Sequence, residues 1–132
     1  MSGPWVHLNG RLLPETEARI SPSDRGFLFG EGLFETMRAK DGRVPLLSRH
    51  LGRLREAAAA LRIPCPELAW EKAVAELLGR QGLGSGLARV KIVLTRGVLA
   101  EVPSPTLLIT AFAYAPPPPA EVAQGWMAVL YP

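Results

Sequence analysis

Apolar and polar positions recur along the chain with two periods, and the changes between them mark out the elements. Val6 to Leu8 and Arg11 to Leu13 flank Asn9-Gly10, the pair that most strongly signals a two-residue turn, so a β-hairpin is predicted there. A polar stretch from Pro14 to Arg25 follows, then a glycine-punctuated aromatic loop, Gly26-Phe27-Leu28-Phe29-Gly30-Glu31-Gly32. Leu33 to Ala39 reads as a strand. Asp41-Gly42 turns it, and Val44 to Leu47 is expected to return as the second arm of a hairpin.

The period then lengthens. Leu51, Leu54, Ala58 and Leu61 recur at spacings of three and four, the apolar stripe of an amphipathic helix from about Arg49 to Leu61, with Ser48 as its expected N-cap. Ile63-Pro64-Cys65-Pro66 stops it. A second helix is predicted over Glu67 to Arg80, burying Trp70, Ala73, Val74, Leu77 and Leu78, and glycines end it. Strict alternation returns over Leu87 to Thr95, with Val90, Ile92 and Leu94 on one face and Lys91 and Val93 on the other. Leu107 to Tyr114 reads as a further strand, Pro116 to Pro119 as a stiff extended connector, and Trp126 to Tyr131 as the start of a last strand. Hairpins, two main helices and more strands make an α+β fold with a largely antiparallel sheet.

Length and composition narrow this little. The chain has 132 residues, enough for one domain with its own core. No apolar run approaches the roughly 20 residues of a membrane span, and the N-terminus lacks the basic and apolar regions of a secretory signal, so a cytoplasmic setting is expected. A single cysteine, Cys65, excludes an internal disulfide, and no Cys/His cluster suits zinc. The net charge is +3, with arginines scattered among acids and no RNA-binding aromatic motif, so nucleic acid is not the expected partner.

Candidate chemistry is sparse when read residue by residue. His7 and His50 have no serine in a Gly-x-Ser-x-Gly elbow to serve, and the glycines do not have dinucleotide or Walker spacing. Two features call for anions or partners. Arg49, Arg53 and Arg55 crowd the early turns of the long helix beside His50, where cations oppose the helix dipole and a phosphate would relieve them; fanning into solvent is the alternative. Thr95-Arg96-Gly97 lies at a strand end, placed to meet a ligand or to pair with an acid.

The run from Ser23 to Thr36, SDRGFLFGEGLFET, is similar to the opening signature of the class IV, pyridoxal-phosphate-dependent aminotransferases and lyases. The resemblance continues through Asp41-Gly42-Arg43 and Leu46-Leu47-Ser48, is strong at His50-Leu51-Gly52-Arg53-Leu54, and reaches Thr95-Arg96-Gly97. Phe34-Glu35-Thr36 and the Leu-Leu-Ser before His50 look most like the branch containing 4-amino-4-deoxychorismate lyase. The resemblance implies pyridoxal 5'-phosphate as cofactor. It makes Arg53 the residue that holds the cofactor phosphate, with backbone N–H groups at the helix start assisting. Phe34 would line the substrate pocket beside Thr36, and Phe29 would reach the neighbouring subunit's site in a homodimer. Arg96 would be structural.

The same resemblance implies a gap. The family's lysine, which binds the cofactor covalently and then shuttles protons, matches none of Lys40, Lys72 or Lys91. Residues 1–132 therefore read as the N-terminal domain, with no catalytic residue of their own, the lysine domain absent and the fragment inactive alone. The intact protein is expected to release pyruvate and give 4-aminobenzoate for folate synthesis. A branched-chain or D-amino-acid aminotransferase is the alternative within the family, although Val98 to Val102 lack the Arg and His of the D-amino-acid branch. A non-catalytic scaffold is the alternative outside it.

Overall fold

A computed structural model describes residues 3–131. Strands β1 (Trp5–Leu8) and β2 (Arg11–Pro14) form the first hairpin, with Asn9 at φ 49° and Gly10 at φ 85°, the left-handed pair that the Asn-Gly turn demands. A 3₁₀ turn (Glu15–Glu17) leads to helix α1 (Arg25–Phe29), then β3 (Gly32–Lys40), α2 (Leu47–Ala60), α3 (Trp70–Arg80), β4 (Leu87–Val98), β5 (Ser104–Ala113) and α4 (Pro119–Gln124). The strands form one antiparallel sheet in the order β2-β1-β5-β4-β3, so the α+β expectation stands. Among the described residues, no helix is long and apolar enough to cross a membrane.

Alternation decides the layers. In β3, Glu35, Met37 and Ala39 turn inward while Phe34, Thr36, Arg38 and Lys40 are exposed. In β4, Val90, Ile92 and Leu94 are buried and Arg89 and Lys91 exposed. The inward face packs against the apolar stripes of α2 (Leu47, Leu51, Leu54, Ala58) and α3 (Trp70, Ala73, Val74, Leu77, Leu78). Each fully buried Leu or Ile there contributes about 1.5–3 kcal/mol relative to exposure. Among the described residues no helix of comparable length covers the opposite sheet face, where Phe34, Thr36, Arg38, Arg89 and Lys91 stay exposed.

Several elements depart from the sequence reading. The aromatic loop at Gly26 is a short helix, because the Asp24 carboxylate accepts from the Gly26 and Phe27 amides and caps it. The Asp41-Gly42 turn forms, but Val44 to Leu47 is no hairpin arm. Only a single bridge, Lys40 to Arg43, follows the turn, since Pro45 has no N–H for a ladder and Leu47 already opens α2. Ser48 is not the cap: Leu46 holds that position without a side-chain bond, and Ser48 lies inside the helix. The chain from Pro64 to Ala69 stays non-helical, so α3 starts at Trp70 rather than Glu67.

Strand β4 runs on to Val98 past an irregularity between Thr95 and Val98. There Gly97 sits at φ 70°, and a Cβ on it would fall 1.7 Å from the Ser104 carbonyl oxygen, so no larger residue fits. Pro118 is extended, as predicted, but Pro119 opens α4, a position that suits proline because its missing N–H would be unpaired there. Trp126 to Tyr131 is not a strand. Among the described residues nothing pairs with it, and Trp126, Met127, Val129, Leu130 and Tyr131 are exposed.

Candidate functional site

The site is built around a carboxylate that alternation buries. Glu35 faces inward from β3 toward α2, where His50 and Arg53, three residues apart, share one side of the helix. Its Oε2 accepts from Arg53 Nη2 at 2.6 Å and lies 2.7 Å from His50 Nδ1, and its Oε1 accepts from Arg53 Nε at 3.2 Å. The Glu35 side chain is 9% exposed and that of Arg53 70%. Burial alone would raise the Glu35 carboxyl; Arg53 and His50 outweigh it and hold the group below its ordinary value. Glu35 in turn raises the Arg53 guanidinium, which stays charged.

This pairing fixes one edge of the Arg53 fork. No described residue takes a hydrogen bond from Nη1, so that nitrogen remains available to an oxyanion. Arg49 and Arg55 are exposed, the solvent-facing alternative, while Arg53 is the one drawn to an acid. Three of the helix-start amides expected to help are already engaged. The Leu47, Arg49 and His50 N–H groups already donate to the Val44 and Leu46 carbonyls, and Arg53 lies in the second turn.

Phe34 and Thr36 lie on the open side of β3, one residue either side of Glu35, and both are exposed. Register places Thr36 opposite Lys91 and Phe34 opposite Val93. The Lys91 Nζ sits 4.7 Å from the Phe34 ring centroid. Phe29 ends α1 and is 64% exposed, and the Arg25 guanidinium lies 4.6 Å from its ring centroid. Arg25 is held by Glu31 through bonds of 2.7 and 2.6 Å. Arg96 reaches the same Glu31 through Nε at 2.7 Å and donates its other nitrogens to the Arg62 and Leu61 carbonyls, tying α1 to the end of α2. Bonded first by Arg25 and then by Arg96, the Glu31 carboxyl falls to about 2.

Sequence reasoning singled out Arg53, Phe29, Phe34, Thr36 and Arg96. The structure brings Phe34 and Thr36 together, sets Arg53 across the β3 backbone from them, and keeps Phe29 and Arg96 in a separate cluster around Glu31. It adds Glu35 and His50, which the sequence reading left without a role. A glutamate at an inward position of a strand was the available signal, because a buried carboxylate needs partners.

The residues present fit the phosphate end of pyridoxal 5'-phosphate: an exposed guanidinium, braced by a buried acid, with a nitrogen to spare. Lys72 pairs with Glu76 at 3.8 Å, Lys91 rests on Phe34, and Lys40 lies at the far end of β3.

Residues 32–131 match the family described as Amino-transferase class IV. A putative branched-chain-amino-acid aminotransferase of Methanocaldococcus jannaschii is 39% identical over 95 residues, covering 70% of this chain and 32% of that protein. The aminodeoxychorismate lyase of Bacillus subtilis is 36% identical over 95 residues, likewise 70% of this chain and 32% of that protein. A D-alanine aminotransferase of Staphylococcus haemolyticus is 30% identical over 115 residues, 83% of this chain and 40% of that one. Among solved structures, a PLP-bound hypothetical aminotransferase from Mycobacterium tuberculosis superposes with a TM-score of 0.71 at 26% identity, over 83% of this chain and 39% of that one. The branched-chain aminotransferase of Thermoproteus uzoniensis superposes with a TM-score of 0.73 at 24% identity, over 85% of this chain and 41% of that one, a likeness of fold. The chain thus spans about a third of the length of the first two curated relatives.

Proposed function

This chain belongs to the class IV aminotransferase family, and from that premise we propose that it is the N-terminal domain of a pyridoxal-phosphate-dependent lyase that converts aminodeoxychorismate to 4-aminobenzoate and pyruvate. Arg53 binds the cofactor phosphate through its uncommitted nitrogen, and Glu35 with His50 keeps the guanidinium from swinging away. Phe34 forms a wall of the substrate pocket, and the Thr36 hydroxyl on the same face orients the substrate. The cofactor, when bound, supplies the electron sink that lets a carbon bearing the amine lose its proton. The lysine that moves that proton lies on a second domain outside this chain, so residues 1–132 alone are inactive. The protein works in the cytoplasm as a homodimer, with Phe29 reaching toward the neighbouring subunit.

The observation that carries the lyase reading is the polar row beside Phe34. An outward Thr36 set against Lys91 offers a hydroxyl and an ammonium to the carboxylates of such a ring substrate. Transamination in the same site is the second reading, favoured by the likeness to the Methanocaldococcus jannaschii protein. Assay of the full-length protein separates them: pyruvate released from aminodeoxychorismate supports the lyase, and amino transfer to 2-oxoglutarate instead overturns it. Arg53→Ala should weaken cofactor retention by about tenfold to a hundredfold, the worth of one or two charge-assisted bonds. Unchanged retention on dialysis would remove the phosphate role.

A further inference from the structure

The connection from β3 to α2 and the side of α3 enclose a cleft on the helical side of the sheet. Asp41 and Gly42 turn the chain there at left-handed φ values of 48° and 76°. The turn is tied on both sides. Lys40 and Arg43 exchange backbone bonds of 2.8 and 3.1 Å, the Asp41 amide donates to the Gly86 carbonyl at 2.9 Å, and Asp41 Oδ1 accepts from the Gly86 amide at 2.9 Å. These bonds make the connection a pre-formed wall, as small-molecule sites require.

Between that wall and α3 lies a cavity of about 450 Å³, within the roughly 300–1,000 Å³ typical of such sites. Its apolar lining comes from Val44 and Leu47 on one side and Val74 and Ala75 on the other. Arg43 lines it from the connection and Glu71 from the first turn of α3. Both are exposed, and neither belongs to an ion pair among the described residues. Opposite charges on facing walls attract and close on each other where they can reach. These two do not, so the cleft presents one cation, one anion and an apolar lining.

The charge pattern selects among ligands. A phosphate or a dicarboxylate would meet Arg43 and be repelled by Glu71. A simple amine would meet the reverse. A wholly apolar molecule would take water from both charges and offer them nothing. A small molecule with both signs and one apolar group satisfies every feature.

We propose that this cleft binds a free aliphatic α-amino acid, its carboxylate on Arg43, its ammonium on Glu71 and its side chain against Val44, Leu47 and Val74. The cleft is distinct from the face that carries Phe34. That ring points to the other side of the sheet, and six positions of β3, roughly 20 Å, separate it from Lys40 at the turn. An amino acid held here is out of reach of Phe34 and Thr36, and it is bound rather than turned over. The assignment stands apart from the choice between lyase and transaminase.

Equilibrium dialysis of the full-length protein with labelled L-leucine counts the sites. Ala75→Leu fills the cleft from an exposed position of α3, and it should remove one bound leucine per chain with the melting temperature unchanged. Phe34→Ala should leave that leucine in place. 3-Methylbutylamine and 4-methylpentanoate each lack one of the two charges, and neither should displace it at about tenfold higher concentration. Glu71→Gln and Arg43→Met should each weaken it about threefold to tenfold, the worth of one charge-assisted bond between exposed groups. An unchanged count in Ala75→Leu, loss of all leucine in Phe34→Ala, or displacement by either singly charged analogue would overturn the assignment. So would a smaller sedimenting species in Ala75→Leu, which would give the cleft to a second copy of the chain. Leucine bound here without pyruvate release from aminodeoxychorismate removes the lyase step and keeps this site.

Discussion

At the scale of single residues, Glu35 controls the most. It is the buried acid that two side chains of α2 converge on, and Arg53 owes its direction to it. Glu35→Gln keeps the shape and removes the charge, leaving His50 and Arg53 with weaker partners; stability should drop by about 1–3 kcal/mol. The pH dependence has a definite sign. The folded-state pKa of Glu35 is lowered, so its contribution is present above the unfolded value and lost as pH falls through the folded one. The difference in stability between the native protein and Glu35→Gln should therefore shrink in acid, below 4.5.

His7 acts in a higher window. It is 3% exposed, its Nδ1 has no partner among the described residues, and burial lowers its pKa below 6.5, so the unfolded chain takes up the proton first and stability declines as pH falls below that value. Chemical denaturation across pH 3–8 should show two stages of acid loss, the first absent in His7→Phe if the ring is accommodated. A single stage below pH 5 would remove the His7 contribution.

At the scale of elements, α1 depends on Asp24. The five-residue helix is too short to persist by itself, and its cap also binds it to the sheet. Asp24 Oδ1 takes the Gly26 and Phe27 amides, while Oδ2 takes the Thr95 and Thr106 hydroxyls at 2.9 and 2.6 Å. Burial would raise this carboxyl, but the four bonds hold it low and ionised. Asp24→Ala removes a cap and strands two hydroxyls, a loss of about 2–4 kcal/mol. Hydrogen exchange should rise first in α1 and at the β4 and β5 ends that carry those threonines. Uniform exchange with an unchanged melting temperature would show that α1 is held by other contacts.

At the scale of the whole molecule, the distribution of apolar surface sets behaviour in solution. Phe27, Leu28 and Phe29 protrude from α1, and Trp126 to Tyr131 offers a second exposed apolar stretch. Surface of this kind drives association. The chain should self-associate at micromolar concentration, and the pair Phe27→Ser with Phe29→Ser should shift it toward monomer in sedimentation velocity. Association unaffected by that pair would point to the C-terminal stretch. Borohydride reduction with pyridoxal phosphate should leave Lys40, Lys72 and Lys91 without stoichiometric labelling; stoichiometric label on any of them would overturn an anchor outside this chain.

What the sequence by itself determined follows from local geometry. A period of two assigned Phe34 and Thr36 to one face of their strand and Val90, Ile92 and Leu94 to one face of theirs, and spacings of three and four assigned Leu51, Leu54 and Ala58 of α2 and the buried stripe of α3, because backbone geometry sets both periods; Leu61, expected in the first stripe, lies past the end of α2 and is exposed. Asn9-Gly10 specified its turn because few residues tolerate left-handed backbone. Only the tertiary structure decided what depends on residues distant in the chain. The Glu35 contact with Arg53 crosses 18 positions, and the Asp24 contacts with Thr95 and Thr106 cross 71 and 82. Trp126 to Tyr131 has a strand's composition and no strand's structure, since a strand exists only where another edge accepts its hydrogen bonds.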